Sequence, residues 1–249
     1  MTPSPRPSLD EERRLWRAGH RWVAGLDEVG RGAWAGPVSV GVAVVRPGVT
    51  SRSLPFWLRD SKLLAEDRRE SAFDEIAAWC VDGAVGHASP AECDRWGMTA
   101  ALRIAAYRAL AVLEIQPDAV LVDGPHDLLR ARPPKPPVDG VVDGDQPALP
   151  GLDGVGALAE PELPPVTSPS TVVPVVDGDA RCASVAAASV LAKVVRDRLM
   201  REEAGHFPAY AFERNKGYPS MVHQTALRGY GLSSIHRRSW AFVADLPWR

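Results

Sequence analysis

Apolar residues along the chain fall into short blocks whose period indicates the element each block forms. Trp22 to Val29 reads as a strand, and the alternating, valine-rich run from Gly36 to Val45 reads as a second strand beside it. Val81 to Ala88 fits a third. Asp118 to Gly124 is continuously apolar before it ends on Asp123-Gly124, which suits a strand buried on both faces in a parallel part of a sheet. The run after Ser170 resumes a strand and leads to Asp179. Between the strands the period lengthens. Ser8-Leu9-Asp10-Glu11 predicts a capping box and a helix over about 9–19. Further helices are predicted from Glu66 to Cys80, from Ser89-Pro90 onward as a short helix followed by a longer one, from Ala180 to Glu203, and near Ser220–Arg228. Strands first and helix–strand units afterwards predict an α/β domain with a mixed sheet and helices on its faces.

Composition changes this picture in one place. Arg130 to Pro174 holds 11 of the 23 prolines, and Pro136 to Ala180 has eight acids with no lysine or arginine. That segment, about 130–170, reads as a flexible insertion without a core. Gly205 to Arg249 is the opposite, with six Lys/Arg, three His and two acids, so a polyanion would meet this part. The net charge of −2 gives no global sign of a nucleic-acid binder. No apolar run reaches membrane-span length, and the first residues lack the apolar centre of a secretory signal. Three cysteines without a CxxC pair fit a reduced, cytoplasmic setting. Nothing suggests more than a monomer.

Candidate chemistry rests on four acids. Asp27, Asp123 and Asp179 lie in strands or at strand ends, and Glu28 adjoins the first. Sites in α/β sheets gather at the carboxyl ends of strands. Four clustered carboxylates need a counter-charge, and an oxygen-only donor set favours Mg²⁺ or Mn²⁺ over Zn²⁺. Two such ions roughly 3.5–4 Å apart would activate water and stabilise the leaving oxygen of a phosphodiester. Each acid also has a plainer reading: Asp123-Gly124 as a strand-end turn, Asp179 as a helix cap, Asp27-Glu28 as a solvated strand edge.

The motifs GLDEVGRGAWAGPVSVGVAVV, DSKLL, VLVDG, AAASVLAKVVRDRLM, NKGYPS and HRRSW occur in an order that resembles ribonuclease HII, over about Arg21 to Trp240 apart from the insertion. The resemblance implies an RNase H-like fold: a mixed five-stranded sheet, flanking helices and a small C-terminal helical lobe. It divides the chain into a catalytic domain, 1–204, and a substrate-binding lobe, 205–249. It implies an endonuclease that cuts the RNA strand of RNA/DNA hybrids and incises 5′ of single ribonucleotides in duplex DNA. The metal-binding acids of the family fall on Asp27, Glu28, Asp123 and Asp179. Strand neighbours point to opposite faces, so Glu28 must reach around to join Asp27, or the strand must deform there.

Gly30-Arg31-Gly32 would bring backbone groups to a ribose 2′-hydroxyl, with Arg31 on an adjacent phosphate. Tyr218 matches the family tyrosine that stacks on the neighbouring sugar. Lys62 and Lys216 are expected phosphate contacts. Ser189, Lys193 and Arg196 share one helix face, which is expected to track a phosphate strand. His236-Arg237-Arg238 reads as a basic patch or an exposed tail. Competing readings are another two-metal nuclease on the same fold, such as a junction resolvase or a type I ribonuclease H, and a hybrid-binding module without catalysis. Three departures stand out: Asp177 where family members often carry lysine, a single lysine in DSKLL, and Ala33-Trp34 where Pro-Leu is frequent. Gln146-Pro147-Ala148-Leu149 resembles, without its aromatic anchor, the core of motifs that bind the replication clamp.

Overall fold

The computed structural model describes residues 6–49, 66–130 and 161–246. Lys62 and the Gln146–Leu149 motif therefore lie outside the described residues. The described chain runs α1 (Asp10–Arg17), β1 (Val23–Val29), β2 (Val38–Val45), α2 (Glu66–Trp79), β3 (Asp82–Ala88), α3 (Pro90–Ala111), β4 (Ala119–Asp123), β5 (Thr171–Val175), α4 (Gly178–Arg181), α5 (Ala183–His206), α6 (Phe212–Asn215) and α7 (Met221–Tyr230). The strands form one sheet in the order β3-β2-β1-β4-β5. Its β1–β2 and β2–β3 pairs are antiparallel, and its β1–β4 and β4–β5 pairs are parallel. The fold is thus α/β with a mixed five-stranded sheet, as the alternation of periods implies. Among the described residues no helix is long and apolar enough to cross a membrane.

Period-two alternation sorts the side chains onto two faces. Ala24, Leu26, Val38, Val40, Val42, Val44, Val120 and Val122 pack with α3 residues such as Leu102, Ile104 and Leu110. The opposite face meets α5, with Ala43 against Ala186–Ala188 and Val190, and Ala119 and Leu121 against Val185. Because helices cover both faces, all eight residues of β2 are buried. Glycines let α5 lie unusually close. A Cβ on Gly41 would stand 2.3 Å from the Ala188 carbonyl oxygen, and one on Gly25 would stand 2.2 Å from the Ser184 carbonyl carbon.

Several helix ends differ from expectation. The Ser8 capping box does not form: Leu9 occupies the cap, and Ser8 instead makes a β-bridge with Cys182. The backbone of Ser8 is committed to that bridge, through Ser8 N–H to the Arg181 carbonyl and Ala183 N–H to the Ser8 carbonyl. The same bridge delays α5, because Cys182 takes an extended conformation (φ −107°, ψ 128°). Asp179 consequently lies in the separate short helix α4, beyond the end of β5. The capping box at Ser89 forms as expected, and Gly97 (φ 76°) breaks α3 into a shorter and a longer part. The end of the expected core-less insertion is not core-less: Leu163 and Val166 pack on the α3-side cluster. A further cluster, built from Tyr210, Phe212, Ala226, Leu227 and Phe242, joins the C-terminal elements to Ala35 and Met200. Trp34 belongs here, stacked on Phe242 with ring centroids 4.1 Å apart, which gives the Ala33-Trp34 departure a packing role.

Candidate active site at the carboxyl ends of two parallel strands

Pairing between β1 and β4 stops at Leu26–Val122, so Asp27 and Asp123 emerge at the next step, where the two parallel strands part. Both continue the α5-facing register, Asp27 after Val23 and Gly25, and Asp123 after Ala119 and Leu121. Asp179 approaches from α4 on the same side, and Glu28 takes the α3 face. The strand does not deform at Asp27-Glu28, where both residues keep regular register with Gly41 and Val40. Reach, rather than a bulge, must therefore bring Glu28 to the aspartates. Glu28 and Asp123 line a groove of about 780 Å³ that also meets Arg31, Gly32, Trp96 and Trp240.

Each aspartate is oriented by a donor. Ser189 on α5 hydrogen-bonds the Asp27 carboxyl, and the Glu28 N–H donates to Asp27 Oδ1 at 2.8 Å. Gly178 N–H donates to Asp123 Oδ1 at 2.7 Å, tying the α4 turn to the end of β4. Asp27 and Asp179 are 7% and 6% exposed. Burial pushes the Asp27 carboxyl up to about 8, and the charges of Glu28, Asp123 and Asp179 push it the same way against the Ser189 hydrogen bond. Among the described residues, no group of three acid, histidine or cysteine side chains is arranged to hold a metal ion as it stands. The donor set nonetheless suits one. It is all oxygen, and the charges of Glu28, Asp123 and Asp179 add to the burial that raises Asp27. Those are the properties that a hard divalent cation relieves.

The glycine loop lies beside the acids. Arg31 and Gly32 are exposed, and Arg31 Nη1 stands 3.8 Å from Glu28 Oε1. A Cβ built on Gly32 would lie 3.9 Å from Tyr218 Cε1, so the tyrosine ring faces the loop. Gly217 fixes that approach by accepting from Trp34 N–H (2.8 Å) and Ala35 N–H (3.2 Å).

Three expected phosphate contacts turn inward instead. Arg196 is fully buried, donating to the carbonyls of Pro37 (2.8 Å), Lys216 (2.9 Å) and Ala35 (3.2 Å). Lys216 is buried with its ammonium on the Glu213 carbonyl. Ser189 is buried and serves Asp27, while Lys193 pairs with Asp197 one turn along α5. Ser189 and Arg196 turn inward because this face of α5 packs on β1 and β2 and on the loop that joins them, whereas Lys216 follows α6 and is buried against that loop through Arg196 and Gly217. His236 and Arg237 are buried too, leaving Arg238 as the exposed member of that trio.

Sequence reading missed the consequence of that burial. His223 Nδ1–H donates to the Tyr218 carbonyl (2.9 Å), and its Nε2 accepts from His236 Nε2–H (2.9 Å). His236 Nδ1 accepts from Ser233 N–H (2.9 Å). A carbonyl can only accept and an amide N–H can only donate, so both tautomers are fixed and both rings are neutral. Burial holds both histidines below their ordinary range, His236 down to about 3. The only sequence signal was the presence of two histidines in one short C-terminal stretch.

Comparison with known proteins follows the same lines. The family model described as Ribonuclease HII matches residues 24–136 and 146–243. Ribonuclease HII of Streptomyces avermitilis is 42% identical over 249 residues, covering 99% of this chain and 89% of that protein. Among solved structures, the ribonuclease H2 from Pyrococcus horikoshii OT3 aligns with a TM-score of 0.66 at 26% identity, covering 90% of this chain and 96% of that one. Bst-RNase HIII in complex with Mn²⁺ shares the fold, with a TM-score of 0.58 at 18% identity, covering 92% of this chain and 71% of that one.

Proposed function

The chain belongs to the ribonuclease HII family, and on that footing we propose that it incises duplex DNA on the 5′ side of single embedded ribonucleotides, leaving 5′-phosphate and 3′-hydroxyl ends. Membership makes it an endoribonuclease that acts on RNA/DNA hybrids, a metal-dependent hydrolase of the type 2 ribonuclease H class. The finer activity rests on one juxtaposition: Asp27, buried, and Asp123, half-buried, at the parting of β1 and β4 stand beside the exposed Arg31-Gly32 of a glycine loop that faces a tyrosine.

In this reading Asp27, Glu28, Asp123 and Asp179 hold two divalent cations, Mg²⁺ or Mn²⁺, which supply an activated water and offset charge on the leaving oxygen. Mn²⁺ is the ion in the Bst-RNase HIII complex. The chain's own groups do the rest. Ser189 and Gly178 hold Asp27 and Asp123 in place, so little reorganisation is needed when substrate arrives. Gly30, Arg31 and Gly32 offer backbone groups to the 2′-hydroxyl and the adjoining phosphate, and Arg31 adds its charge. Tyr218 stacks on the following sugar and favours one that lacks the 2′-oxygen, so the loop and the ring together read an RNA–DNA junction. The 205–249 segment serves as the substrate-binding lobe, with 1–204 as the catalytic unit. Lys193, paired with Asp197, would serve a phosphate only in exchange for that partner.

The test is incubation with a duplex that contains one ribonucleotide, in Mg²⁺, Mn²⁺ or EDTA. Metal-dependent incision on the 5′ side is expected, lost in Asp27→Asn and weakened in Tyr218→Ala. Equal cutting of an all-DNA duplex refutes the 2′-hydroxyl reading.

A further inference from the structure

Two arginines are buried beneath the glycine loop, and hydrogen bonds of both guanidinium groups end on main-chain carbonyls. Arg237 Nη2 donates to the Gly30 carbonyl (2.7 Å) and to that of Gly36 (3.2 Å). Its Nη1 donates to the Arg31 carbonyl (2.9 Å), and its Nε to Gly36 (3.3 Å). Arg196 takes the neighbouring carbonyls of Ala35 and Pro37 and reaches Lys216, just ahead of Tyr218. The packing is tight: Gly30 adopts φ +84°, and a Cβ there would stand 2.2 Å from Arg196 Nε. A buried guanidinium is costly, and here it is met by neutral carbonyls and one aromatic face, Trp240 for Arg237 and Tyr218 for Arg196, with Asp94 and Asp197 acting only through space. Such an arrangement is a poor choice for stability, which points to what the loop gains from it.

The gain follows from peptide planarity. In a trans peptide the carbonyl of one residue and the N–H of the next point in opposite directions. Arg237 draws the carbonyls of Gly30 and Arg31 inward, so the N–H groups of Arg31 and Gly32 point outward, at residues that are exposed. Two successive outward N–H groups form a concavity suited to anionic or hydroxyl oxygen. The buried positive charge also polarises both peptides and strengthens the donors. We infer that Arg237 is a positioning residue for ribonucleotide recognition, holding the Arg31 and Gly32 amides toward the ribose and its phosphate. The inference rests on the proposed function and adds to it the device that fixes the loop. Lysine cannot replace arginine here, because one ammonium cannot span three carbonyls in the fork geometry of a guanidinium.

Steady-state cleavage in Mg²⁺ provides the test, with a duplex containing one ribonucleotide as substrate and an all-DNA duplex as competitive inhibitor. For Arg237→Lys, KM for the ribonucleotide duplex is expected to rise roughly tenfold, less than the hundredfold that a displacement of about an ångström can cost. The inhibition constant of the all-DNA duplex should stay unchanged, and kcat should fall less than KM rises. A scaffold role alone would lower the folded fraction, and so the apparent kcat, while KM and the inhibition constant stayed where they are in the wild type. Unchanged KM in a folded Arg237→Lys overturns the inference. If that variant does not fold, the amide signals of Arg31 and Gly32 in the intact protein decide. They should shift with the ribonucleotide duplex and not with the all-DNA duplex, and an equal response to both, or none, overturns the inference. A wild-type protein that fails to cut the ribonucleotide duplex would instead refute the proposed function, a separate result.

Discussion

Folding places Asp27 where its carboxyl is pushed up to about 8, against an ordinary 3.8. The folded chain therefore keeps a proton that the unfolded chain releases. Without a cation, stability falls as pH rises from about 4 to about 8 and then levels off. Asp27→Asn removes that burden. In EDTA at pH 8 it should be more stable than wild type by about 1–3 kcal/mol, read by urea denaturation, while activity falls about a thousandfold or more. A variant less stable than wild type under those conditions would mean that Asp27 is solvated. Ser189→Ala should act in the opposite sense on the same group. Loss of its hydrogen bond raises the carboxyl further, so half-maximal activity should need several times more Mg²⁺, measured by metal titration.

Long helix α5 is the element that couples the site to the sheet, and it can do so because β1 and β2 present glycines to it. Gly41→Ala places a methyl group 2.3 Å from the Ala188 carbonyl oxygen, so the helix must shift. The expected cost is about 3 kcal/mol in chemical denaturation, with activity reduced through displacement of Ser189. The N-terminus of α5 is capped from a distance. Glu12 Oε1 on α1 accepts from the Ser184 amide (2.8 Å) and hydroxyl (2.7 Å), a task for which Cys182 offers no side-chain hydrogen bond. At this scale much was legible in the sequence. Valine alternation located the strands, Ser89-Pro90 and Glu92 located a capping box, and Asp27 and Asp123 lie in their strands as read, whereas Asp179 lies in α4 and not at a strand end. The illegible parts share a physical cause. Ser8 and Cys182 were misread because their bridge joins segments far apart in the chain. Arg196, Lys216 and Arg237 were read as surface charge because burial of a cation depends on carbonyls that converge only in the fold.

Across the whole molecule, the basic surface is smaller than the composition suggests. Of the cations in the C-terminal part, Arg214, Arg228 and Arg238 are exposed while Lys216 and Arg237 are buried. Neutralising those three exposed arginines together should reduce the log–log salt slope of duplex binding by about 2–3, measured by titration at several salt concentrations. Arg237→Lys should leave that slope unchanged. The paired histidines set an acid limit on the same region. Both stay neutral in the fold below their ordinary 6.5, His236 down to about 3, whereas the unfolded chain takes up protons there. Stability is therefore fully present above about pH 6.5 and is lost as pH falls toward 3. Thermal melts from pH 7 to pH 4 should show the loss, and His236→Asn, which keeps an acceptor for Ser233, should flatten it.

The hydrogen bond from Arg237 to the Gly30 carbonyl spans 207 positions of sequence. A ribosome therefore releases the glycine loop well before its anchor. Until then a nascent chain carries Asp27 and Asp123 beside a loop whose carbonyls have no Arg237 to hold them. Synthesis itself thus orders the two events, and a product cut short before Arg237 should emerge with its glycine loop unanchored.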